Sequence, residues 1–479
     1  FSQTCPFTLT PDLALISSSP AIEAEIDLAI SRFSDSYLGT SAPTSGQLSS
    51  AESAYAALNI NVNAGVISGN TITSFTQASF LRKFAQHLKF NPTDTNIQTK
   101  ANNAVWWVSK QFCTGVLPRD LQKYAYEDFA RPTSLLKDFL DPAVKDLFAY
   151  TLYVHSGDFE HYWEPTYDAA YQEANGTIDT DLIYNLSDAL MAYVAWQDTD
   201  QERYRYMRGY TRYLERFFSY TEGTTDGIKK DGSGFHHWTA YTNYMYAYKT
   251  ATNLLEYLSD TGFQVDQTSY KVFRNAVYHQ FMLANDNDVQ ALSTAGRKPE
   301  VRTNQFNQAS LKTLALEGGK ILGLTTADPV LAGMYNRIYG VEAAFNYSTI
   351  KPFTEGFFQF NHSSAGAFRK NNWVAFTKGF SNNMWGTEIY ATANRFGRYQ
   401  SYGALEVIYP GDKVTGNGYD VNTWDWNFNP GTTVIKLPWD KLHGEWSRID
   451  ELQQNRFVGG LALDKKNIET LYDLSLIHI

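Results

Sequence analysis

Phe357-Phe358-Gln359-Phe360, Trp373-Val374-Ala375-Phe376-Thr377 and Ala404-Leu405-Glu406-Val407-Ile408 are short runs rich in aromatic and β-branched residues, bounded by Gly, Asn or Pro. Their length and composition predict strands rather than helices. Thr432–Leu437 and Arg456–Leu463 continue the pattern, so residues 351–473 are expected to form an antiparallel, sandwich-like β region. Upstream the period is different. Ala21–Phe33, Ser74–Phe90, Ala101–Phe112, Thr133–Val154, Leu182–Trp196, Tyr204–Tyr220, Tyr241–Leu258, Ser269–Leu283, Gln308–Leu322 and Pro329–Tyr339 carry apolar residues at spacings of three and four. Short Gly, Asp, Thr and Pro punctuation separates them, which predicts helical hairpins packed side by side over residues 20–350. The fold class expected is α+β and multidomain: helices first, antiparallel β structure second, after a tail at 1–19.

A chain of 479 residues exceeds one ordinary core. No apolar run is long enough to cross a bilayer as a helix, and no membrane partner is expected. The net charge of −10 argues against a nucleic-acid binder with a broad basic face. Two cysteines, Cys5 and Cys113, exclude a disulfide scaffold and a cysteine-rich zinc module. They leave open one bond that ties down the N-terminal tail. Thirty-two Tyr and 11 Trp are many. Such side chains suit carbohydrate sites, because sugar C–H faces lie flat on rings, although a helical core that uses Tyr would look similar.

The ends carry their own signals. Phe1-Ser2-Gln3-Thr4 resembles a start left after signal removal, and four Asn-x-Ser/Thr triplets (Asn175, Asn185, Asn346, Asn361) are compatible with export. The expected location is outside the cell or in a periplasm. Leu474–Ile479 resembles the in-frame translation of a transposon end, a cloning or assembly scar to be kept out of fold reasoning. The β region is then expected to be truncated.

Metalloprotease His-Glu-x-x-His, nucleophile-elbow Gly-x-Ser-x-Gly and phosphate-binding Gly-x-x-x-x-Gly-Lys patterns are all missing. Four other segments stand out. Asp231-Gly232-Ser233-Gly234-Phe235-His236-His237-Trp238 is a Gly-rich turn followed by two histidines, with Tyr244 seven positions after His237. Ala295-Gly296-Arg297-Lys298-Pro299 is a basic turn. Trp385-Gly386-Thr387-Glu388-Ile389-Tyr390 and Asn394-Arg395-Phe396-Gly397-Arg398-Tyr399-Gln400-Ser401 follow in the β region.

These segments resemble those of polysaccharide lyase family 8, and most closely its chondroitin sulfate ABC lyase branch. Trp424-Asp425-Trp426-Asn427 and Pro430-Gly431-Thr432-Thr433 match the branch as well. Trp238-Thr239 departs from the acid-Gly pair usual after the histidine, which puts sulfation preference in doubt. The resemblance implies an incomplete α/α toroid joined to an antiparallel β-sandwich, with a cleft between them. It implies His237, Tyr244, Arg297 and Glu388 as catalytic residues of a β-elimination. The polymer bound would be a polyanionic glycosaminoglycan. No cofactor is required; a structural or activating divalent cation is left open.

The residue types fit that reaction. Removing the C5 proton of a uronate places charge beside an ionised carboxylate, so neutralising that carboxylate is the main electrostatic task. Asn185 is a candidate donor for it, though it also sits in a glycosylation triplet. Tyr244 needs a neighbouring cation such as Arg297 to ionise usefully, whereas His237 serves as a base near neutral pH. Glu388 would hold Arg297 or Tyr244 in position. Each has a plainer reading: Tyr244 as a packed ring, Arg297 as a solvated turn residue, Glu388 in a structural ion pair. A metal pair is an alternative reading of His236 and His237, but no third ligand at helical spacing accompanies them, so no metal site is assigned. Trp106, Trp107, Trp163, His155, His236, Arg395 and Arg398 are further candidates for substrate contact. Because Trp106 and Trp107 are adjacent, at least one points away from the core. Two rivals remain: a glycoside hydrolase using Asp231 and Glu388 as its carboxylates, and a non-catalytic glycan-binding descendant of lyases. The chain is expected to act as a monomer.

Overall fold

Ser19-Pro20 opens the first helix by two local devices. The Ser19 hydroxyl accepts the Ile22 N–H, and Pro20 occupies the first turn, where no N–H is needed. The helix α1 runs over Pro20–Leu38 and buries Ile26, Ala29, Phe33 and Tyr37 at spacings of three and four. Gly39, at a φ of +88°, ends it. It is a turn longer than expected because Tyr37 and Leu38 prolong the same apolar stripe.

This computed structural model describes residues 14–117, 123–156, 183, 190–222, 227–236, 239–240, 247–285, 290–294, 306–340, 344–379, 403–408, 425, 427–428, 431 and 436. After α1 come α2 (Ser45–Ala57), the hairpin β1 (Asn61–Asn63) and β2 (Val66–Ser68), α3 (Leu81–Phe90), α4 (Thr95–Cys113), α5 (Lys123–Leu135) and α6 (Pro142–Ser156). Residues 190–196 are helical, followed by α7 (Asp200–Phe217). Three short strands, β3 (Gly227–Ile228), β4 (Gly234–His236) and β5 (Thr239–Ala240), precede α8 (Ala247–Tyr257), α9 (Gln267–Met282), α10 (Gln308–Ile321) and α11 (Pro329–Tyr339). A sheet of β6 (Gly356–Phe360), β7 (Ala365–Lys370), β8 (Trp373–Lys378) and β9 (Ala404–Ile408) follows.

Two differences from the expected elements have clear causes. The single helix predicted over Thr133–Val154 is two: α5 ends at Leu135, a short 3-10 turn follows at Lys137–Phe139, and α6 begins at Pro142. Pro142 takes the first position of α6, where its missing N–H costs nothing. Helix α2 was not expected at all. It is set by a capping box between Thr44 and Gln47 and buries only Ala51, so it shows no apolar stripe to read.

The chain divides into two compact units. One takes in Phe1–Asp168, Asp181–Leu214 and Leu254–Gln264; the other takes in Ala169–Thr180, Glu215–Asn253 and Val265–Ile479. The first unit has an aromatic interior. Phe75 packs on Phe112, Tyr126 and Phe129, and the Tyr37 ring lies against the guanidinium groups of Arg82 and Arg131. Cys113, at the end of α4, is disulfide-bonded.

In the second unit the strands are antiparallel in the order β6-β7-β8-β9. Alternation sends Phe360, Ala365, Ala367, Val374, Phe376 and Ile408 to one face. There they pack with Met282 and Leu283 at the end of α9 and with Ala291. Full burial of each Phe is worth about 1.5–3 kcal/mol. The other face carries exposed Phe357, Phe368, Leu405 and Val407. The predicted strands at 432–437 and 456–463 and the tail at 474–479 lie almost wholly outside the described residues.

Candidate functional site

The turn between β3 and β4 is built by Asp231-Gly232-Ser233. One Asp231 carboxylate oxygen accepts the Ser233 N–H at 2.9 Å, and the Gly232 N–H reaches the Lys229 carbonyl at 2.8 Å. Only glycine fits at 232. Its φ is +89°, and an added Cβ would stand 2.7 Å from the His279 Cβ and 2.9 Å from the Asn275 carbonyl oxygen. The turn therefore lies directly on α9. Beneath it Lys229 is fully buried, with its ammonium donating to Thr221 Oγ1 at 2.8 Å and lying 4.4 Å from the centroid of the Phe235 ring. Strand β4 ends at His236, which pairs with Thr239, and His237 follows directly in the chain.

The sheet grips the surrounding turns through polar side chains on or beside its core face. The second Asp231 oxygen accepts the His362 N–H at 2.8 Å, from the turn joining β6 and β7, and the buried Ser233 and Ser363 hydroxyls bond to each other. Arg369 donates to the Phe281 carbonyl at 3.1 Å and to the Ala284 carbonyl, closing the C-terminal end of α9. Glu406 of β9 accepts both the N–H and the hydroxyl of Ser293, at 2.9 and 2.6 Å. Ser293 lies in the helical turn Leu292–Thr294, immediately ahead of the Ala295-Gly296-Arg297 segment. The Gly403 N–H bonds the Lys378 carbonyl at 3.0 Å, and Glu388 lies between these two residues in the sequence. Lys378 is itself buried, which pulls its ammonium pKa down to about 7.

His279 is the buried imidazole at this junction. Its Nδ1 lies 3.1 Å from the Asp231 carbonyl oxygen, so Nδ1 carries the proton and Nε2 the lone pair. Nε2 is buried and has no hydrogen-bond partner among the described residues, and the ring stands edge-to-face on Phe360 at 4.3 Å. Burial therefore lowers its pKa to about 4. A second proton would sit where no described group accepts it.

His237, Tyr244, Arg297, Glu388, Asn185, Trp163, Arg395 and Arg398 lie outside the described residues. His155 belongs to α6 and His236 to β4, with their side chains outside the description. Of the tryptophan pair, Trp106 is half-buried. Trp107 is a correction to the sequence reading: it is 7% exposed, its Nε1–H donates to the Asn70 carbonyl at 2.9 Å, and its ring faces Gly69 so closely that a Cβ there would stand 3.1 Å away. That ring packs the β1–β2 hairpin onto α4 and has no face open to a sugar. Among the described residues no group of His, Cys, Asp and Glu is placed to hold a metal ion. The sequence reading assigned no role to Glu406, Lys378 or His279. Glu406 and Lys378 carry a signal of a kind, a charged residue in an otherwise apolar strand.

A model of the lyase catalytic domain matches residues 134–344, and one of the polysaccharide lyase family 8 super-sandwich domain matches residues 355–472. The chondroitin sulfate ABC endolyase of Proteus vulgaris is 30% identical over 271 residues, which is 54% of this chain and 26% of that protein. The chondroitin sulfate ABC exolyase of Bacteroides thetaiotaomicron is 24% identical over 331 residues, 62% of this chain and 32% of that protein. This chain thus spans about a quarter to a third of the length of those curated relatives. A solved structure of the Streptomyces coelicolor A3 chondroitin AC lyase superposes with a TM-score of 0.58 at 16% identity, covering 86% of this chain and 61% of that one. That likeness establishes the fold class, an α/α toroid followed by antiparallel β-sandwich structure. With both domain models matched in order and almost without interruption, the chain belongs to polysaccharide lyase family 8 and is similar to its chondroitin sulfate ABC lyases.

Proposed function

We propose that this chain carries the catalytic residues of a glycosaminoglycan lyase that cleaves chondroitin and dermatan sulfate by β-elimination, with hyaluronan as a further substrate. The observation that carries the reading is the ordered set of four motif segments, with His237 and Tyr244 seven residues apart, in a chain of this family. In this mechanism Asn185 hydrogen-bonds the uronate carboxylate and relieves the charge that opposes carbanion formation. A base then removes the C5 proton while an acid protonates the departing 4-linked oxygen. Tyr244, ionised with the help of the Arg297 cation, takes the proton from glucuronate and returns it to the leaving oxygen. His237 takes the proton of the C5 epimer iduronate from the opposite side; in that cycle Tyr244 starts as the neutral phenol and gives its proton to the leaving oxygen, and exchange with solvent then takes the proton from His237 and returns one to Tyr244. Glu388 orients Arg297 or Tyr244. The product carries a 4,5-unsaturated uronate at its new non-reducing end.

Proton transfer and charge neutralisation suffice for this elimination, so no cofactor is assigned. The partner is a polyanionic polysaccharide, met outside the cell or in a periplasm, and the chain acts as a monomer. Incubation with chondroitin sulfate, dermatan sulfate and hyaluronan tests the reading, since an unsaturated uronate absorbs in the ultraviolet. New reducing ends without that absorbance would mean hydrolysis, and binding without either would mean a glycan-binding protein. Each of those results would overturn the lyase reading.

A further inference from the structure

We infer that Asp231 is a positioning residue for the strand that leads into His237, and that it acts by locking the β3–β4 turn to the sheet. The inference rests on the lyase reading for its consequence in catalysis, and on geometry for everything else. Asp231 makes three separate attachments. One carboxylate oxygen accepts the Ser233 N–H at 2.9 Å, which closes its own turn. The other accepts the His362 N–H at 2.8 Å, from a residue 131 positions away in the β6–β7 turn. Its backbone carbonyl accepts from His279 Nδ1 at 3.1 Å, which fixes the turn to α9.

Neighbours reinforce the same junction. The Ser233 and Ser363 hydroxyls bond to each other with both residues fully buried, and Gly232 lies so close to His279 that no side chain fits. The turn cannot slide along α9 or lift from the sheet without breaking several of these contacts together. Phe235 and His236 follow within β4, paired to Ala240 and Thr239, so the register set at Asp231 passes along the strand to its last residue before His237.

The same geometry removes Asp231 from the list of reacting groups. Both of its carboxylate oxygens already accept backbone N–H groups, one from its own turn and one from the β6–β7 turn, so the group is committed to holding the two turns together. A hydrolase using Asp231 as one of its two carboxylates would have to break the turn that holds the neighbouring strand.

Two variants and one measurement on the unaltered chain test this. Asp231→Asn keeps an oxygen for Ser233 but turns an amide NH2 toward the His362 N–H; Asp231→Ala removes both acceptors. Misplacing a catalytic group by about 1 Å costs on the order of 10²-fold. Asp231→Ala is therefore expected to lower kcat on chondroitin sulfate by that order with little change in KM, and Asp231→Asn by less. Circular dichroism should show both variants folded. Carbethoxylation of His237, followed by peptide mass spectrometry, reads its surroundings without any substrate and should change rate in both variants. In the unaltered chain the Ser233 and His362 amides should be protected from hydrogen exchange. A folded Asp231→Ala protein with unaltered kcat and unaltered His237 modification overturns the inference. So do freely exchanging Ser233 and His362 amides, a result obtainable even if neither variant folds. If the unaltered chain forms no unsaturated product, the lyase reading fails, while amide protection and His237 reactivity still decide the role of Asp231.

Discussion

Acid should weaken the second unit through His279, and the size of the effect follows from its surroundings. The ring donates from Nδ1 to the Asp231 carbonyl, and among the described residues Nε2 has no partner. Protonation must place a charge at Nε2 in a buried site against Phe360, and this holds the folded-state pKa to about 4 against an ordinary value of 6.5. The unfolded chain therefore binds this proton first as pH falls. Stability from His279 is fully present above 6.5, declines as pH drops below that, and is gone by about 4. At about 1.4 kcal/mol for each pH unit of separation, the loss is on the order of 3 kcal/mol.

His279→Asn isolates this contribution. The Asn amide can still donate toward the Asp231 carbonyl, and the variant cannot titrate. Truncating the ring leaves a cavity, so the variant should be less stable at neutral pH. Urea unfolding followed by tryptophan fluorescence at several pH values between 7 and 4 gives the difference between the two proteins. Carboxylate protonation affects both alike and cancels. The gap should shrink by about 3 kcal/mol between pH 7 and pH 4, and hydrogen exchange of the α9 amides offers a local readout of the same change. A gap that stays constant across that range would refute the reasoning, because it would mean that His279 titrates alike in both states.

Four further outcomes are expected. Tyr244→Phe, which removes the proton carrier but keeps the ring, should lower absorbance-detected cleavage of chondroitin and dermatan sulfate by about 10²–10⁴-fold; a folded variant near full activity would sink the mechanism. His237→Ala should reduce dermatan sulfate cleavage more than cleavage of glucuronate-rich chondroitin sulfate, and equal losses would argue against two opposed bases. Asp328 is fully buried; it caps α11 through the Val330 and Leu331 N–H groups and also binds the Tyr270 hydroxyl and Arg274. Asp328→Ala should cost about 3–5 kcal/mol in urea unfolding, since Arg274 loses its partner as well as the helix its cap. At Gly333 a Cβ would overlap the Lys351 carbonyl oxygen, so Gly333→Ala should destabilise by about 1–3 kcal/mol or more in thermal unfolding, despite alanine's better helix propensity.

Much of the fold was legible because the core writes itself into local periodicity. Pro329–Tyr339 could be read to the residue, since Asp328 caps it, Pro329 opens it and Gly340 closes it. The switch to strands near residue 352 was equally plain in Phe357–Phe360 and Trp373–Thr377. What failed was information that is not periodic. Helix α2 is held by its capping box while burying almost nothing, and the break between Leu135 and Pro142 was hidden under apolar residues that continued the same spacing on both sides. The Trp106–Trp107 pair shows the limit for site residues. Adjacency says that two rings diverge on a helix, but which one is buried depends on a hairpin 37 residues away in sequence that supplies the Asn70 carbonyl.

The supports of the candidate site were illegible for a related reason. Asp231, Arg369 and Glu406 act across sequence separations of 131, 88 and 113 residues, and no local pattern marks such pairings. Their common feature appears only in the folded second unit. Each joins the sheet or its β6–β7 turn to a helical-region segment that adjoins a motif or ends α9. A strand face that packs mainly Phe, Val and Ala gains nothing in hydrophobic burial from Arg369 or Glu406, and each would be costly there without a partner. Both are offset by backbone groups that the ends of helices leave unsatisfied: carbonyls at the end of α9 and the N–H of Ser293. Apolar packing alone would permit small slips of one element over another, whereas these directional bonds each allow a single register. A reaction that asks two bases and a cation to meet one uronate ring at defined distances needs such registration more than it needs added stability. On this argument, substitutions at Arg369 and Glu406 should reduce turnover by more than their effect on unfolding would suggest.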